Sequence, residues 1–336
     1  MISSVPDLLT GFGLQRGGAE MRQRMEDVSV EITTGRAEDL YAASGGDLAR
    51  LYAIEDKLGR LTARSDRLAL ADARAEASQN ALADLEASLG TLGLDITGAL
   101  GLGDIRDARI HGDTARDAFS AAVTALNSSF AGRSLFAGAA TDSAALADGE
   151  VMLAQIALAV DATTTVADAL TAIDDYFNAA GGGFETGGFL GDAADAPAVE
   201  LGNDTRLAYG RRGDEAEIRS VLQGLATLVI GVEHPIATAG LVETEAVLAA
   251  GATRLIGAAD GITDIRAALG SDQARIEDAL TRTAAERSAT EIARAKMVTR
   301  DPYEAASEFQ ALEAQMQSVY AVTARLAGLS LTNFLR

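Results

Sequence analysis

Residues 309–330, FQALEAQMQSVYAVTARLAGLS, decide the fold of this chain. Apolar or small residues recur in this stretch at alternating steps of three and four. The series runs through Phe309, Leu312, Met316, Val319, Thr323, Leu326 and Ser330. This spacing places the whole series in one narrow stripe along an α-helix. A helix with so narrow a stripe needs partners for its apolar face, and a neighbouring helix in a coiled coil supplies them.

The N-terminal region carries a related pattern, so the two ends of the chain match. Two such helices at opposite ends of the chain predict a hairpin in which the terminal helices pair and the long middle part of the chain connects them. This layout is typical of structural building blocks. We expect the stripes to form an assembly interface. Its predicted members are Leu14, Met21, Met25, Val28, Ile32, Phe309, Leu312, Met316, Val319, Leu326, Leu331 and Phe334.

The composition favours helix and argues against several classes of function. Of the 336 residues 48% are hydrophobic but only 4% aromatic, so alanine and leucine dominate the apolar set and favour helix over sheet. The formal net charge of −21 repels phosphate backbones, which argues against nucleic-acid binding. There is no polybasic patch for a membrane surface and no stretch long enough to span a bilayer.

The residues that most enzymes and metal sites need are scarce. The chain has no cysteine, which excludes disulfides, thiolate metal ligands and cysteine nucleophiles. The two histidines, His111 and His234, are far apart and lack metal-binding spacing, so we expect solvated or capping roles. No set of nucleophile, base and orienting group can be assembled from the sequence. We therefore expect no enzymatic activity, no cofactor and no bound metal.

The first fifteen residues, MISSVPDLLTGFGLQ, contain no lysine or arginine. A conventional cleavable signal peptide begins with positive charge followed by an apolar run, so this start argues against one. If the protein is exported, we expect it to use a route that does not read such a signal.

Helical periodicity returns after the N-terminal helix and then breaks. Leucines at heptad spacing run from Leu48 to Leu92, and glycines at 90–103 predict a loop. A further helix is predicted from about Thr114 to Ser129. The sequence between 138 and 209 is glycine-rich. It predicts one amphipathic helix at 166–177 and strands at 198–201 and 205–209.

The helical pattern resumes at Glu215 and continues to Leu280. A new helix is predicted to start after Asp301. Asp301 can cap it, Pro302 suits its first position, and Glu304 lies three residues after the cap. The predicted fold is mainly α: an elongated helical hairpin or coiled-coil rod formed by the terminal segments, with a small mixed α/β insertion. We expect three parts: a terminal coiled-coil domain of 1–45 with 301–336, a rod of 46–138 with 206–300, and an outer insertion of 139–205.

Four segments resemble the flagellin superfamily. VEITTGR at 30–36 resembles the family's I-S-T-G-K/R segment, and LNSSFAGRSLFAG at 126–138 resembles its G-R-Y-L-F-x-G turn. Residues 205–230 are similar to the return from the variable domain, and 301–336 to the terminal helix. The ending LSLTNFL at 329–335 favours members that join hook to filament.

One segment departs from the family pattern. YAASGGD at 41–47 stands where the family usually carries an acidic pair followed by proline, so we expect a looser or differently angled elbow between the first two long helices.

The resemblance implies a function. Subunits would leave the cell unfolded through the flagellar type III export apparatus, helped by an export chaperone and addressed by an uncleaved N-terminal segment. They would form a short extracellular ring between a hook-side junction protein and flagellin, needed for filament assembly and motility. A lone helix with an unpartnered stripe is marginal in water, so we expect the ends to become ordered on assembly.

Two alternatives remain at this stage. A filament flagellin would share most of the resemblance, and the C-terminal ending and modest insertion discriminate only weakly against it. A soluble signalling coiled coil would share the periodicity, and it would have ordered ends and would not be secreted.

Overall fold

Helices dominate the computed structural model, which describes the backbone of residues 5–202 and 204–334 and the side chains of 12–202, 204–237 and 239–325. The helices are α1 Val5–Thr34, α2 Leu40–Ala43, α3 Leu48–Leu89, α4 Leu92–Gly101, α5 Ile105–Gly112, α6 Ala115–Leu126, α7 Gly149–Asp161, α8 Val166–Asn178, α9 Ala216–Glu233, α10 Pro235–Thr238, α11 Leu241–Val298 and α12 Pro302–Phe334. The predicted mainly α class is confirmed.

Two short antiparallel pairs of strands complete the described architecture. Strands β1 (Ser129–Phe130) and β2 (Arg133–Ser134) form one hairpin, and β3 (Val199–Gly202) pairs with β4 (Thr205–Leu207) in the other. The second pair has a register shift between Glu200 and Gly202. A π-helical turn lies at Phe184–Gly188.

The chain divides into two compact units. Unit 1 consists of the described residues of Met1–Ala63 and Ala284–Arg336, and unit 2 consists of Arg64–Thr283. The predicted division into three parts stays a prediction.

Unit 2 is organised around α9, which is apolar on almost every side. Its residues from Ile218 to Val232 are nearly all buried, and the helix contacts α5, α6, α7, α8 and α10. A helix that is hydrophobic all round belongs in an interior, because no face of it can be solvated without exposing apolar surface. The largest fully buried side chains of the same hydrophobic core are Phe119, Phe136, Phe177 and Phe184.

The loop predicted at 90–103 is wrong in its central part, where α4 forms a helix. Three buried residues, Leu92, Ile96 and Ala99, give this segment one apolar face, and their burial outweighs the roughly 1 kcal/mol that each glycine costs a helix. Gly93 also has a packing role. A Cβ at this position would lie 3.0 Å from Ile256 Cγ1 and 3.1 Å from the Ala252 carbonyl oxygen, so glycine permits close approach to α11.

The predictions for the central region are correct in part. The strands expected at 198–201 and 205–209 correspond to β3 and β4, and the helix expected at 166–177 is α8. The helix predicted from Thr114 is α6, which ends at Leu126 because β1 begins at Ser129. Helix α7 was missed, although Asp148 caps it by accepting hydrogen bonds from the amides of Glu150 and Val151.

Side-chain and backbone geometry fix the turn that follows α6. The Asn127 side chain both donates to the Leu146 carbonyl (3.0 Å) and accepts from the Leu146 amide (2.8 Å). Gly138 has a φ of +60°, and a Cβ there would lie 2.3 Å from the Asp192 carbonyl oxygen and 2.5 Å from that of Ala194. Glycine is therefore required at 138 by both conformation and space.

We expect Gly138→Ala to destabilise unit 2 by about 3 kcal/mol, since backbone would have to move away from the new methyl group. Gly132→Ala is the matched control, because Gly132 also has a positive φ (+75°) but open space around its Cβ position. It should cost only about 1 kcal/mol. Thermal and denaturant unfolding, followed by circular dichroism, gives the free energy of unfolding of both variants. Equal losses of stability in the two variants would contradict the packing argument.

Candidate assembly surface

The terminal helices α1 and α12 pack against each other within unit 1. Most of the predicted stripe lies at half-buried positions on the two helices: Leu14, Met21, Met25, Phe309, Leu312, Met316 and Val319. Val28 is fully buried, whereas Ile32 is 41% exposed. The side chains of Leu326, Leu331 and Phe334 lie outside the described residues.

Half-burial of the stripe has a geometric cause. Two paired helices cover each other along one line of contact and leave both flanks of each stripe in water. Full burial of such residues takes further helices, as in the core of a bundle. Within the described part of unit 1, the stripe is therefore covered only in part.

Two loops join the helix pair at one end, and we call this region the terminal clasp (residues 31–38 and 298–308). Arg36 and Thr299 form an antiparallel bridge. The Ala37 amide donates to the Val298 carbonyl (2.9 Å), and the Arg300 amide donates to the Gly35 carbonyl (3.1 Å). Gly35 ends α1 with a φ of +68°, a conformation that glycine adopts without strain. The segment VEITTGR, which resembles the flagellin motif, therefore connects the end of α1 to the residues that precede α12.

Charged side chains cross the terminal clasp. Glu31 is only 3% exposed, accepts a hydrogen bond from the Glu38 amide (3.0 Å) and forms an ion pair with Arg300 at 3.5 Å. Arg300 Nη2 also lies 2.6 Å from Glu308 Oε2. Arg24 of α1 donates to the other oxygen of Glu308 (2.8 Å), and this hydrogen bond raises the pKa of Arg24. Glu308 thus accepts from two arginines.

The start of α12 follows the sequence prediction. The Asp301 carboxylate accepts hydrogen bonds from the amides of Tyr303 (2.8 Å) and Glu304 (3.3 Å), and Pro302 is the first helical residue. The cap satisfies amides that have no partner inside the helix.

The elbow at 41–47 contains hydrogen-bonded structure rather than an open loop. Asp39 caps the single turn of α2 by accepting from the Ala42 amide (3.0 Å). Asp47 accepts from the Arg50 amide (3.0 Å) at the start of α3. These two caps order the backbone of the elbow, and the looser or differently angled elbow expected from the sequence stays a prediction.

Sequence reasoning missed a second set of apolar side chains in unit 1, which are exposed and lie off the heptad stripe. Its large members are Phe12, Tyr41, Tyr52, Ile292, Tyr303 and Tyr320. Tyrosine is enriched at protein interfaces, so we add these side chains to the candidate surface. Their signal in the sequence is the concentration of four of the six tyrosines in unit 1.

Other kinds of site were also sought in the described residues. The histidine, aspartate and glutamate side chains there form no group of three or more that could hold a metal ion. No helix in the same part of the chain is long and apolar enough to cross a membrane. His234 is buried, pairs with Asp161 (2.8 Å) and accepts from the Ile236 amide at the start of α10.

Comparison with known proteins bears on the C-terminal part of this surface. Residues 254–335 match the family model for the C-terminal helical region of bacterial flagellin. The matched segment contains most of α11, the Arg300 side of the terminal clasp and α12. The match covers less than half of the chain, so it shows a likeness of this C-terminal segment to flagellin.

Two further comparisons add little. A solved structure from Vibrio parahaemolyticus, provisionally named as a flagellar hook-associated protein, is 11% identical and covers 70% of this chain and 96% of its own, with a TM-score of 0.31. A likeness at that level carries no argument about fold or function. No curated protein matches the chain.

We expect Arg300→Ala to destabilise unit 1 by about 2 kcal/mol, because buried Glu31 would lose its cation and half-buried Glu308 would keep only Arg24. The loss of stability is measured by amide hydrogen exchange, which should become faster at residues 24–38 and 301–310. The control is Arg287→Ala, which removes only an exposed pair with Glu291 in the same unit and should cost less than about 0.5 kcal/mol. An equal effect of both variants would mean that the terminal clasp does not hold the ends together.

Proposed function

We propose that the chain is a structural subunit of the bacterial flagellum that joins a hook-side junction protein to the flagellin filament. The observation that carries the proposal is the match of residues 254–335 to the flagellin C-terminal helical region. The matched residues include the stripe of α12, and α12 packs on α1. A family resemblance and a physical need for further partners therefore fall on the same helix.

Assembly in this proposal completes the burial that the α1–α12 pair leaves unfinished. Neighbouring subunits pack against the flanks of the stripe and against the exposed aromatic residues of unit 1. The resemblance of the sequence segments to the flagellin superfamily supplies the rest of the proposal, namely type III export aided by a chaperone and an extracellular place at the hook–filament junction.

Filament flagellin is the second candidate, because the matching family model describes flagellin itself. The ending LSLTNFL at 329–335 favours the junction role, since filament flagellins end nearer to L-S-L-L. A signalling coiled coil is the more distant alternative, and the flagellin match weighs against it.

Seeded assembly separates the two flagellar roles. Purified chain is added to hook fragments that carry the hook-side junction protein, and the products are viewed by negative-stain electron microscopy. A junction subunit stops at a short ring, onto which flagellin then polymerises. Long filaments made from this chain alone would establish the filament role instead, and no addition to hooks or to filaments would contradict both.

A pair of variants tests whether the stripe mediates assembly. We expect Met316→Glu to abolish ring formation, because a carboxylate in the stripe cannot be buried against an apolar neighbour. Gln317→Glu adds the same charge at the adjacent exposed position and should assemble normally. If both variants form rings, the stripe is not the assembly interface.

A further inference from the structure

A groove in unit 2 concentrates positive charge on a strongly acidic chain. Its volume is about 670 Å³, and α3, the β1–β2 hairpin and the β3–β4 pair form its walls. Four arginines line it: Arg67, Arg74, Arg133 and Arg206. One acidic residue, Glu200, is among its lining residues. The chain as a whole has 49 acidic residues against 28 basic ones, so the groove reverses the overall balance.

Most of this positive charge is uncompensated. Arg74 donates to the Ser134 carbonyl (2.9 Å), a contact that orients its guanidinium but leaves its charge unpaired. Glu200 is 3.9 Å from Arg64, which lies beside the groove. Among the described residues, Arg67, Arg133 and Arg206 have no carboxylate partner.

Apolar side chains lie between the arginines. Leu70 of α3 is 59% exposed, and Phe130 and Tyr209 are part of the lining. Burial raises the pKa of Tyr209, which keeps its ring neutral, while nearby Arg74 opposes the shift. Guanidinium groups bind carboxylates in a fixed bidentate geometry and stack on aromatic rings. The groove is therefore suited to an acidic polypeptide surface with some apolar side chains.

We propose that this groove receives an acidic surface of a second copy of the chain. The inference rests on the proposed function, in which copies pack side by side. Two molecules of net charge −21 repel each other, so a cationic surface at their contact favours close packing. The groove is such a surface, and its complement lies elsewhere on the neighbour. The contact is therefore head-to-tail, as rings of identical subunits require.

The test uses Arg67→Glu/Arg133→Glu in the full chain. Both side chains are exposed and unpaired, so the variant should fold, which circular dichroism checks. The matched control, Arg50→Glu/Arg106→Glu, changes two exposed arginines outside the groove and lowers the net charge equally. Binding between immobilised and free copies is measured by biolayer interferometry at low salt.

A head-to-tail contact predicts an asymmetric result. The groove variant should bind itself at least about tenfold more weakly than the wild type binds itself, a loss of about 1.4 kcal/mol. It should still bind the wild type, because its acidic surface can enter the wild-type groove. The control should bind as the wild type does, and added salt should weaken every interaction that uses the groove.

Several outcomes would overturn the inference. Self-association of the groove variant at wild-type strength would show that the groove is not the contact. A folded groove variant that binds neither itself nor the wild type would refute the head-to-tail arrangement. If the wild type forms rings on hooks and the groove variant does so equally well, the inference fails and the proposed function stands. If the wild type does not assemble on hooks or with itself, the result would contradict both the proposed function and this inference.

Discussion

The narrow apolar stripes of α1 and α12 impose the constraint on which the account of this protein depends. Each stripe is too narrow to place its helix in an interior and too apolar to leave it alone in water. Pairing the two helices covers Val28 fully but leaves residues such as Met21 and Met316 half-buried. In the proposed assembly, this remaining apolar area is the driving force for contact with neighbouring subunits.

The terminal clasp makes this constraint act on both ends of the chain together. Arg300 links buried Glu31 at the end of α1 to Glu308 on α12, and the loops around Gly35 and Thr299 pair through backbone hydrogen bonds. Half of this clasp lies within the segment that matches the flagellin C-terminal region. The other half lies in the N-terminal motif VEITTGR, so the two resemblances meet in one structural feature.

Charge adds a second condition to assembly. Apolar stripes favour association without specifying orientation, whereas repulsion between acidic copies favours those arrangements that place opposite charges together. The arginine groove supplies a surface of this kind in unit 2. Unit 1 thus provides the driving force of the proposed assembly, and unit 2 provides orientation.

Periodicity and caps made much of the fold predictable. The long helices, the start of α12 at Asp301 and the strands β3 and β4 follow from local rules that depend on a few neighbouring residues. Helix α4 was not predictable by those rules, because its glycines are tolerated only through packing of Leu92 and Ile96 in unit 2. The arginine groove was equally hidden, since Arg67, Arg133 and Arg206 are distant in sequence and meet only after folding.

The most direct test of the central claim is amide hydrogen exchange at residues 12–34 and 302–325 in dilute monomer and in the assembled ring. The account predicts partial protection of both segments in the monomer, where α1 and α12 cover each other along one line of contact, and strong protection in the ring, because neighbours complete the burial of the stripes. Strong protection of both segments already in the dilute monomer would contradict it.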